Sequence, residues 1–415
     1  MFGFGNRKQS ATPDQSKVVG IDLNATRAQA VSSVVGRGWV LKLDDKSDDL
    51  PLFINLDGRT PEVGSVGVEI CRKLPHLVCS NFLPQLGHAR QWQVGRSKVT
   101  PESALLTTFE KICGPVCEES QTTAISLPTY LTATQVKTVL ELGEKAKLPL
   151  RGSVVAPLAV AAHRAAWILG GTPPEIESSE RDGSRPDWVV PIRRQSHGNA
   201  SIVIVDVDEF ALTASVIRIE PNEVKLVTSA AWPRASLKLW KDRLLDSLSD
   251  RCVRLCRRDP RDSADAEQSL YLQLDAALDR VRAGQPVVLN IRSEHWYQDL
   301  VHQADEFDGY CANLAKLGTE GVAELIHSAN LPAPPRAVWL THTAAKLPGL
   351  AATIYNRSAE QTEVLALPIH AYADATASLV SRWLTGKLPR GHLDIAIPLE
   401  RNPYTRALPE HRSSV

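Results

Sequence analysis

The sequence has no excess of charge of either sign and no long apolar run. Lys plus Arg and Asp plus Glu number 47 each, so the formal net charge is zero, and no global field favours binding to nucleic acid or to an anionic membrane. No segment approaches the roughly 18 consecutive apolar residues of a membrane-spanning helix, and the N-terminus lacks the apolar core of a signal peptide. Phe2 rather than glycine follows Met1, which argues against N-myristoylation. We therefore expect a cytoplasmic protein that has no transmembrane segment and binds no nucleic acid.

The sequence also lacks the cysteine pattern of a disulfide-stabilised secreted protein. Its seven cysteines are an odd number in a chain of 415 residues, whereas disulfide frameworks are dense and paired. Cys113 and Cys117 form one C-x3-C pair and Cys252 and Cys256 another, and four thiols are enough to hold zinc. Pro115 inside the first pair and the apolar neighbours of the second favour ordinary packing of buried cysteines. No metal site is predicted from them.

The composition is that of a folded globular protein, with 43% hydrophobic and 23% charged residues. The length allows two domains of ordinary size. Residues 1–16 are mostly polar residues and glycine, so we expect a flexible tail there and another at 401–415. Residues 171–200 are rich in Pro, Gly and charged residues, which predicts an exposed loop or a domain boundary.

Between these segments the hydrophobic pattern predicts a succession of strands and helices that occurs twice. The first comprises strands at 17–23 and 28–35, a helix from Pro101 to about Ile112, a strand at 123–127 and helices at 133–147 and 156–169. The second comprises strands at 201–207, 211–219 and 223–229, helices at 237–257, about 264–283 and about 298–328, a strand at 337–340 and a helix at 374–384. The order strand, strand, helix, strand, helix is therefore found once before residue 200 and once after it.

The segment from Ala124 to Pro157 carries a series of motifs. Its first strand leads into P-T-Y-L, its helix carries a glutamine followed by G-E-K-A-K-L, and its second strand ends in V-A-P; the matching positions are Pro128, Tyr130, Gln135, Gly143, Ala146, Leu148 and Pro157. With these residues the segment resembles the ATPase domain of the heat-shock 70-kDa chaperone (DnaK-like) family. The family's catalytic glutamate falls on Ala156.

The resemblance extends from about Val18 to Leu384 and implies an α/β fold of the actin-like, sugar-kinase-like type. In that fold two RNase H-like lobes, which are duplicates of each other, surround an ATPase cleft. The resemblance assigns the first lobe to 17–170 and the second to 201–400, with a helical subdomain at about 235–330. About 30 residues follow Leu384, too few for the β-sandwich with which the full chaperones bind peptides. No substrate-binding domain is therefore expected.

The first phosphate loop of that family reads G-I-D-L-G-T-T, and its counterpart here is Gly20 to Thr26, G-I-D-L-N-A-T. Glycines in such loops let backbone N–H groups approach a phosphate closely. Asp22, which in the family orients water around Mg²⁺, is retained, while Asn24 replaces a glycine and Ala25 lacks a hydroxyl. The resemblance implies that Asp22, Asn24 and Thr26 are vestigial nucleotide-binding residues.

The second phosphate loop, D-L-G-G-G-T-F-D in the family, corresponds to Asp206 to Thr213, D-V-D-E-F-A-L-T, and residues 201–220 contain no glycine. Asp206 is retained, but Asp208 would put a carboxylate where polyphosphate lies, and the same holds for Glu209. Like charges brought together in a partly desolvated cleft repel each other. An alternative is a metal cluster of these carboxylates with Asp22, against which the bulk of Phe210 argues. Asp206 and Asp208 are candidate vestigial residues.

Two further parts of the family's site are altered. Leu83 stands where the resemblance puts the catalytic lysine. The adenosine loop, G-G-S-x-R-I-P in the family, corresponds to His342 to Pro348, H-T-A-A-K-L-P, with His342, Thr343 and Lys346 as vestigial candidates. Only Lys346 keeps a positive charge. The sequence therefore predicts no catalytic residues and no bound metal.

The sequence predicts a pseudo-ATPase that acts as a protein-binding or scaffolding module for an unidentified protein partner, without a cofactor. One alternative is an active, truncated chaperone-like ATPase, which would use Asp22 and Asp206 with ATP or ADP and magnesium. Another is an actin-like adaptor of a pilus or division machine, suggested by the Phe-Gly-Phe-Gly tail followed by Arg7 and Lys8. Whether the chain is an enzyme depends on which of these holds.

Overall fold

The computed structural model describes residues 17–34, 37–95, 97–169, 199–389 and 391–399. The tails predicted at 1–16 and 401–415 lie outside the described residues. The exposed loop or domain boundary predicted at 171–200 also lies outside them, apart from Asn199 and Ala200. The described part is a mixed α/β protein. None of its helices combines the length and the apolar character that crossing a membrane requires.

The described residues form strands and helices with the following bounds. The strands are β1 (Val18–Leu23), β2 (Arg27–Val34), β3 (Arg37–Val40), β4 (Leu50–Pro51), β5 (Phe53–Asn55), β6 (Glu62–Val63), β7 (Val78–Ser80), β8 (Trp92–Val94), β9 (Ser97–Val99), β10 (Thr123–Leu127), β11 (Leu150–Val155), β12 (Ala200–Val207), β13 (Leu212–Ile219), β14 (Glu223–Trp232), β15 (Val287–Arg292), β16 (Tyr297–His302), β17 (Ala337–Leu340), β18 (Glu363–Ala366), β19 (His392–Leu393) and β20 (Ala396–Pro398). The helices are α1 (Ser65–Val68), α2 (Pro101–Glu119), α3 (Ala133–Lys145), α4 (Ala156–Ile168), α5 (Leu237–Cys256), α6 (Ala264–Arg282), α7 (Ala304–Ser328), α8 (His342–Ala345), α9 (Leu350–Arg357) and α10 (Ala371–Leu384).

Two large sheets have the same internal order. The first runs β19-β11-β10-β1-β2-β3, with β4 also paired to β2, and the second runs β18-β17-β12-β13-β14-β20. In each sheet three successive strands form an antiparallel meander, β1-β2-β3 and β12-β13-β14. The next two strands, β10-β11 and β17-β18, then add in parallel beside the first strand of the meander. The repeated succession in the sequence therefore corresponds to a repeated strand order.

The helix that follows the last parallel strand of each sheet packs against the other sheet. Helix α4 follows β11 and packs against β13 and β14, whereas α10 follows β18 and packs against β1, β2 and β10. The approach of α10 is close, because a Cβ atom on Gly20 would lie 2.1 Å from the carbonyl oxygen of Ala373. Side chains of α4, α10 and the facing strands form one buried apolar cluster between the sheets. Glycine at position 20 thus permits a close contact between helix and strand.

The chain end that the structure describes joins the two sheets a second time. Strand β19 pairs in parallel with β11 of the first sheet, and β20 pairs antiparallel with β14 of the second. Ser153 Oγ also lies 3.0 Å from His392 Nδ1. Residues 391–399 therefore cover one edge of each large sheet, which leaves those edges unavailable for pairing with other chains.

One predicted helix is wrong in its first part. Residues 297–302 form β16, which pairs with β15 in a hairpin, and α7 begins only at Ala304. The alternation of buried and exposed residues in Val287–Arg292 has the period of a strand, and that strand was missed in the sequence. Gln303 then begins α7 with a capping box to Glu306. Helix α2 extends to Glu119, seven residues beyond its predicted end, and the other predicted helices lie within a few residues of their predicted bounds.

Candidate functional site

The site is built from two turns that face each other from the two large sheets. One turn joins β1 to β2 and the other joins β12 to β13. The N–H of Ala25 donates to Asp208 Oδ2 at 3.1 Å, and the N–H of Glu209 donates to Thr26 Oγ1 at 2.9 Å. Asn24 Oδ1 accepts from the N–H of Thr26 at 2.9 Å and so holds its own turn in shape. The two turns that the resemblance aligns with the family's phosphate loops are therefore bonded directly to one another.

The carboxylate of Asp208 is the centre of this contact. Its Oδ2 also accepts from the hydroxyl of Tyr130 at 2.6 Å, and its Oδ1 accepts from the N–H groups of Phe210 and Ala211, each at 2.9 Å. Burial raises the pKa of Asp208 to about 6, and the hydrogen bonds from Tyr130 and Ala211 oppose a larger rise. Four donors thus converge on one buried side chain, which fills the position at which a loop of glycines would leave space for an anion.

Phe210 closes the same region sterically. Its ring lies 4.8 Å from the ring of Tyr130, centroid to centroid, at an interplanar angle of 58°. The ring of Phe210 therefore packs beside the hydroxyl-bearing side chain that donates to Asp208.

The two retained aspartates share a small cavity behind the turns. Asp22 and Asp206 line it together with Arg27 and Tyr372, and its volume is about 10 Å³, roughly the space of one water molecule. Asp22 Oδ1 accepts from Ser126 Oγ at 3.0 Å. The cavity cannot hold a nucleotide.

Burial raises the pKa of both Asp22 and Asp206. It raises the pKa of Asp22 to about 7, with the charge of Asp206 as a second cause. It also raises the pKa of Asp206, which accepts hydrogen bonds from Thr341 Oγ1 at 2.7 Å and from the N–H of Val207 at 2.8 Å. Each of the two buried carboxylates is thus hydrogen-bonded to a hydroxyl group of the protein.

The predicted adenosine segment lies nearby, and its polar side chains are paired. Lys346 Nζ lies 3.3 Å from Asp275 Oδ1 and 3.7 Å from Asp279 Oδ1. His342 Nε2 lies 3.4 Å from Asp279 Oδ1, while Thr343 is buried. These contacts join α6 to α8 and to Lys346, the residue that follows it.

Glu209 is buried beside this charged group. It is buried near Lys241, which opposes the rise that burial causes in its pKa, and Lys241 Nζ lies 2.8 Å from Asp275 Oδ2. Burial tends to raise the pKa of Asp275, but Lys241 and Lys346 outweigh it and lower that pKa. Within the described ranges, no group of three or more His, Cys, Asp or Glu side chains is arranged to hold a metal ion. The four-carboxylate alternative has no geometric support there.

Sequence reasoning missed a second set of contacts between the two halves of the chain. The Arg72 side chain pairs with Asp242 and lies 3.6 Å from Glu267 Oε1. Gln268 Oε1 accepts from the N–H of Arg72 at 2.7 Å, and Gln268 Nε2 donates to the carbonyl of Val68 at 2.9 Å. The partners are 170 to 200 residues apart in the chain, so no local pattern could have indicated them. The segment after α1 is thereby bonded to α5 and α6.

Leu83 and Ala156, which the resemblance aligns with catalytic groups of the chaperone family, are part of the apolar core. Leu83 is fully buried in the cluster on the outer face of the first sheet. Ala156 is buried at the start of α4 in the cluster between the two sheets. Neither position carries a group that could stabilise charge. In comparisons with known proteins, no family model matches the chain and no curated protein is similar to it.

Proposed function

We propose that this chain is a pseudo-ATPase of the actin-like fold, related to the ATPase domain of the heat-shock 70-kDa chaperone family, and that it acts as a protein-binding or scaffolding module. The fold assignment is supported by the matching strand order in the two sheets. It is also supported by the exchange of α4 and α10 between the sheets. Asp22 and Asp206 occupy corresponding strands, β1 and β12, beside one cavity.

The observation that carries the functional proposal is the carboxylate of Asp208. It is 3% exposed and accepts hydrogen bonds from Ala25, Tyr130, Phe210 and Ala211. A phosphate group would have to displace this carboxylate and take its donors. Its negative charge would also add to a buried acidic group, which costs several kcal/mol in a partly desolvated site.

A cleft that is closed in this way keeps its two sides in one arrangement without a ligand. The Ala25–Asp208 hydrogen bond joins them at the turns, and the Arg72–Asp242 ion pair joins the segment after α1 to α5. In a working ATPase of this architecture, the nucleotide would supply the contacts between the lobes. Here side chains of the chain itself supply them, so the outer surface is a fixed shape that suits a scaffold for another protein.

The proposal is tested by titrating the full-length protein with Mg-ATP and Mg-ADP in a calorimeter. We expect no affinity tighter than the millimolar range, which corresponds to about 4 kcal/mol, and no ATP turnover above background. Saturable binding near micromolar concentrations, about 8 kcal/mol, that disappears in the Asp22→Ala or Asp206→Ala variant would refute the proposal. The active truncated ATPase would then be the better assignment.

A further inference from the structure

A second, much larger cavity has a lining that differs from that of the cavity at Asp22 and Asp206. It has a volume of about 330 Å³, against about 10 Å³ for the cavity at Asp22 and Asp206. It is formed by the C-terminal half of α7, the segment leading into β17, and α9 with the residues that follow it. Its volume is at the lower end of the range for small-molecule sites.

The walls of this cavity are apolar. The apolar lining includes Val322, Ala323, Ile326, Pro335, Val338 and Ile354. The hydroxyl groups in the lining are directed to the backbone, since Thr319 Oγ1 donates to the carbonyl of Ala315 at 2.8 Å and Thr362 Oγ1 donates to that of Pro335 at 2.7 Å. Water in such a space finds few partners, so an apolar group that displaces it is favoured.

The lining contains one charged side chain, Arg357 at the end of α9, and no Asp or Glu among the described residues. His327 at the end of α7 adds an imidazole. Arg357 is half exposed, and one of its nitrogens, Nη2, lies 3.6 Å from Glu320 Oε1. An exposed ion pair of this length is weak, and a guanidinium group can accept a second carboxylate through its other N–H groups.

We propose that this cavity binds a small amphiphilic carboxylate, with its alkyl chain between α7 and α9 and its carboxylate near Arg357. The apolar walls favour binding of an alkyl chain. The guanidinium of Arg357 favours a negatively charged end group over a neutral or positively charged one. The site shares no residue with the closed cleft, so this inference does not depend on whether the chain binds nucleotide.

The test is a calorimetric titration of the full-length protein with sodium octanoate, octan-1-ol and octylammonium chloride. We expect one saturable site for octanoate, binding of octanol weaker by about three- to fivefold, and no binding of octylammonium. Arg357→Gln should weaken octanoate binding by the same factor and leave octanol binding unchanged. Equal affinity for octanoate and octanol, or no saturable heat with octanoate, would overturn the proposal.

Two variants, each on a different wall of the cavity, test where the alkyl chain of octanoate lies. Ala323→Trp on α7 and Ala359→Trp after α9 each put an indole into the cavity, and each should weaken octanoate binding by at least about tenfold, because the displaced volume is that of the ligand. Ala352→Trp, on an exposed position of α9 outside the lining, is the control and should bind as the unmodified protein does. Thermal unfolding followed by circular dichroism identifies any variant that fails to fold, and Ala359, which is exposed, tolerates a larger side chain. Equal loss of binding in Ala352→Trp, or none in a folded Ala359→Trp, would contradict the assignment.

Discussion

The hydroxyl of Tyr130 donates to Asp208 Oδ2 at 2.6 Å across the two large sheets. Tyr130 follows β10 of the first sheet and Asp208 follows β12 of the second. Burial also raises the pKa of Tyr130, and the charge of Asp208 raises it further, so the phenol remains a donor at neutral pH. Tyr130 belongs to the segment that resembles the chaperone family. Its hydrogen bond connects that segment to the turn between β12 and β13, which the resemblance aligns with a phosphate loop.

Removing that donor should destabilise the protein. Tyr130→Phe leaves one lone pair of a buried carboxylate without its partner, and hydrogen bonds to charged groups contribute about 1.5–3 kcal/mol. We expect the free energy of unfolding in urea at pH 7.5 to fall by that amount. Tyr297→Phe, on a side chain that is 75% exposed, is the control and should change it by less than about 0.5 kcal/mol. Equal effects of the two substitutions would show that the hydrogen bond from Tyr130 to Asp208 does not stabilise the folded protein.

The buried carboxylate of Asp22 should make stability depend on pH. Its pKa is raised from 3.8 to about 7 in the folded protein, so the folded state binds the proton more tightly than the unfolded state does. Its contribution to stability is therefore present below pH 4 and is lost as the pH rises to about 7.

Asp22→Asn should remove this dependence, because the amide stays neutral at every pH. We expect the variant to be more stable than the unmodified protein at pH 8, by on the order of 3 kcal/mol, and of similar stability at pH 4. Chemical unfolding at several pH values measures the difference. Asp45→Asn, at an exposed position, should leave the profile unchanged. A profile for Asp22→Asn that parallels that of the unmodified protein would contradict the assigned pKa.

A methyl group at Gly20 should prevent the close packing of α10. The Cβ atom would lie 2.1 Å from the carbonyl oxygen of Ala373 and 2.3 Å from the nitrogen of Ala377, both of which are backbone atoms. We expect Gly20→Ala to lower the free energy of unfolding by at least about 3 kcal/mol, since overpacking a core typically costs 1–3 kcal/mol and the backbone cannot move aside easily. Gly309→Ala, at an exposed position of α7 with open space around it, should instead stabilise the helix by about 0.5–1 kcal/mol. Similar signs for the two substitutions would contradict the packing argument.

Restoring glycine in the second turn should reopen space for an anion. The triple variant Asp208→Gly, Glu209→Gly and Phe210→Gly removes two buried carboxylates and one aromatic ring. We expect weak binding of Mg-ATP to appear in calorimetry, without hydrolysis, because Leu83 and Ala156 still lack the charges that catalysis needs. A folded triple variant that binds no better than the unmodified protein would show that the turn is not the obstacle.

Local patterns in the sequence determined most of the regular elements. Strand β10 occupies Thr123–Leu127 as predicted, and α3 begins at Ala133 with a capping box between Thr132 and Gln135. The loss of glycine between 201 and 220 and the retention of Asp22 were also visible in the chain itself. These features depend on hydrophobic period, caps and residue type, which neighbouring residues encode.

The tertiary structure alone decided how the altered residues are used. The sequence indicated that Asp208 would repel phosphate, but not that its carboxylate would bond to Ala25, which is 183 residues away. It gave no sign of the Arg72–Asp242 pair. The β15–β16 hairpin was missed because a short alternating segment next to a long helix pattern is ambiguous. Contacts of this kind form only when crossover connections bring distant turns together, so local periodicity carries no information about them.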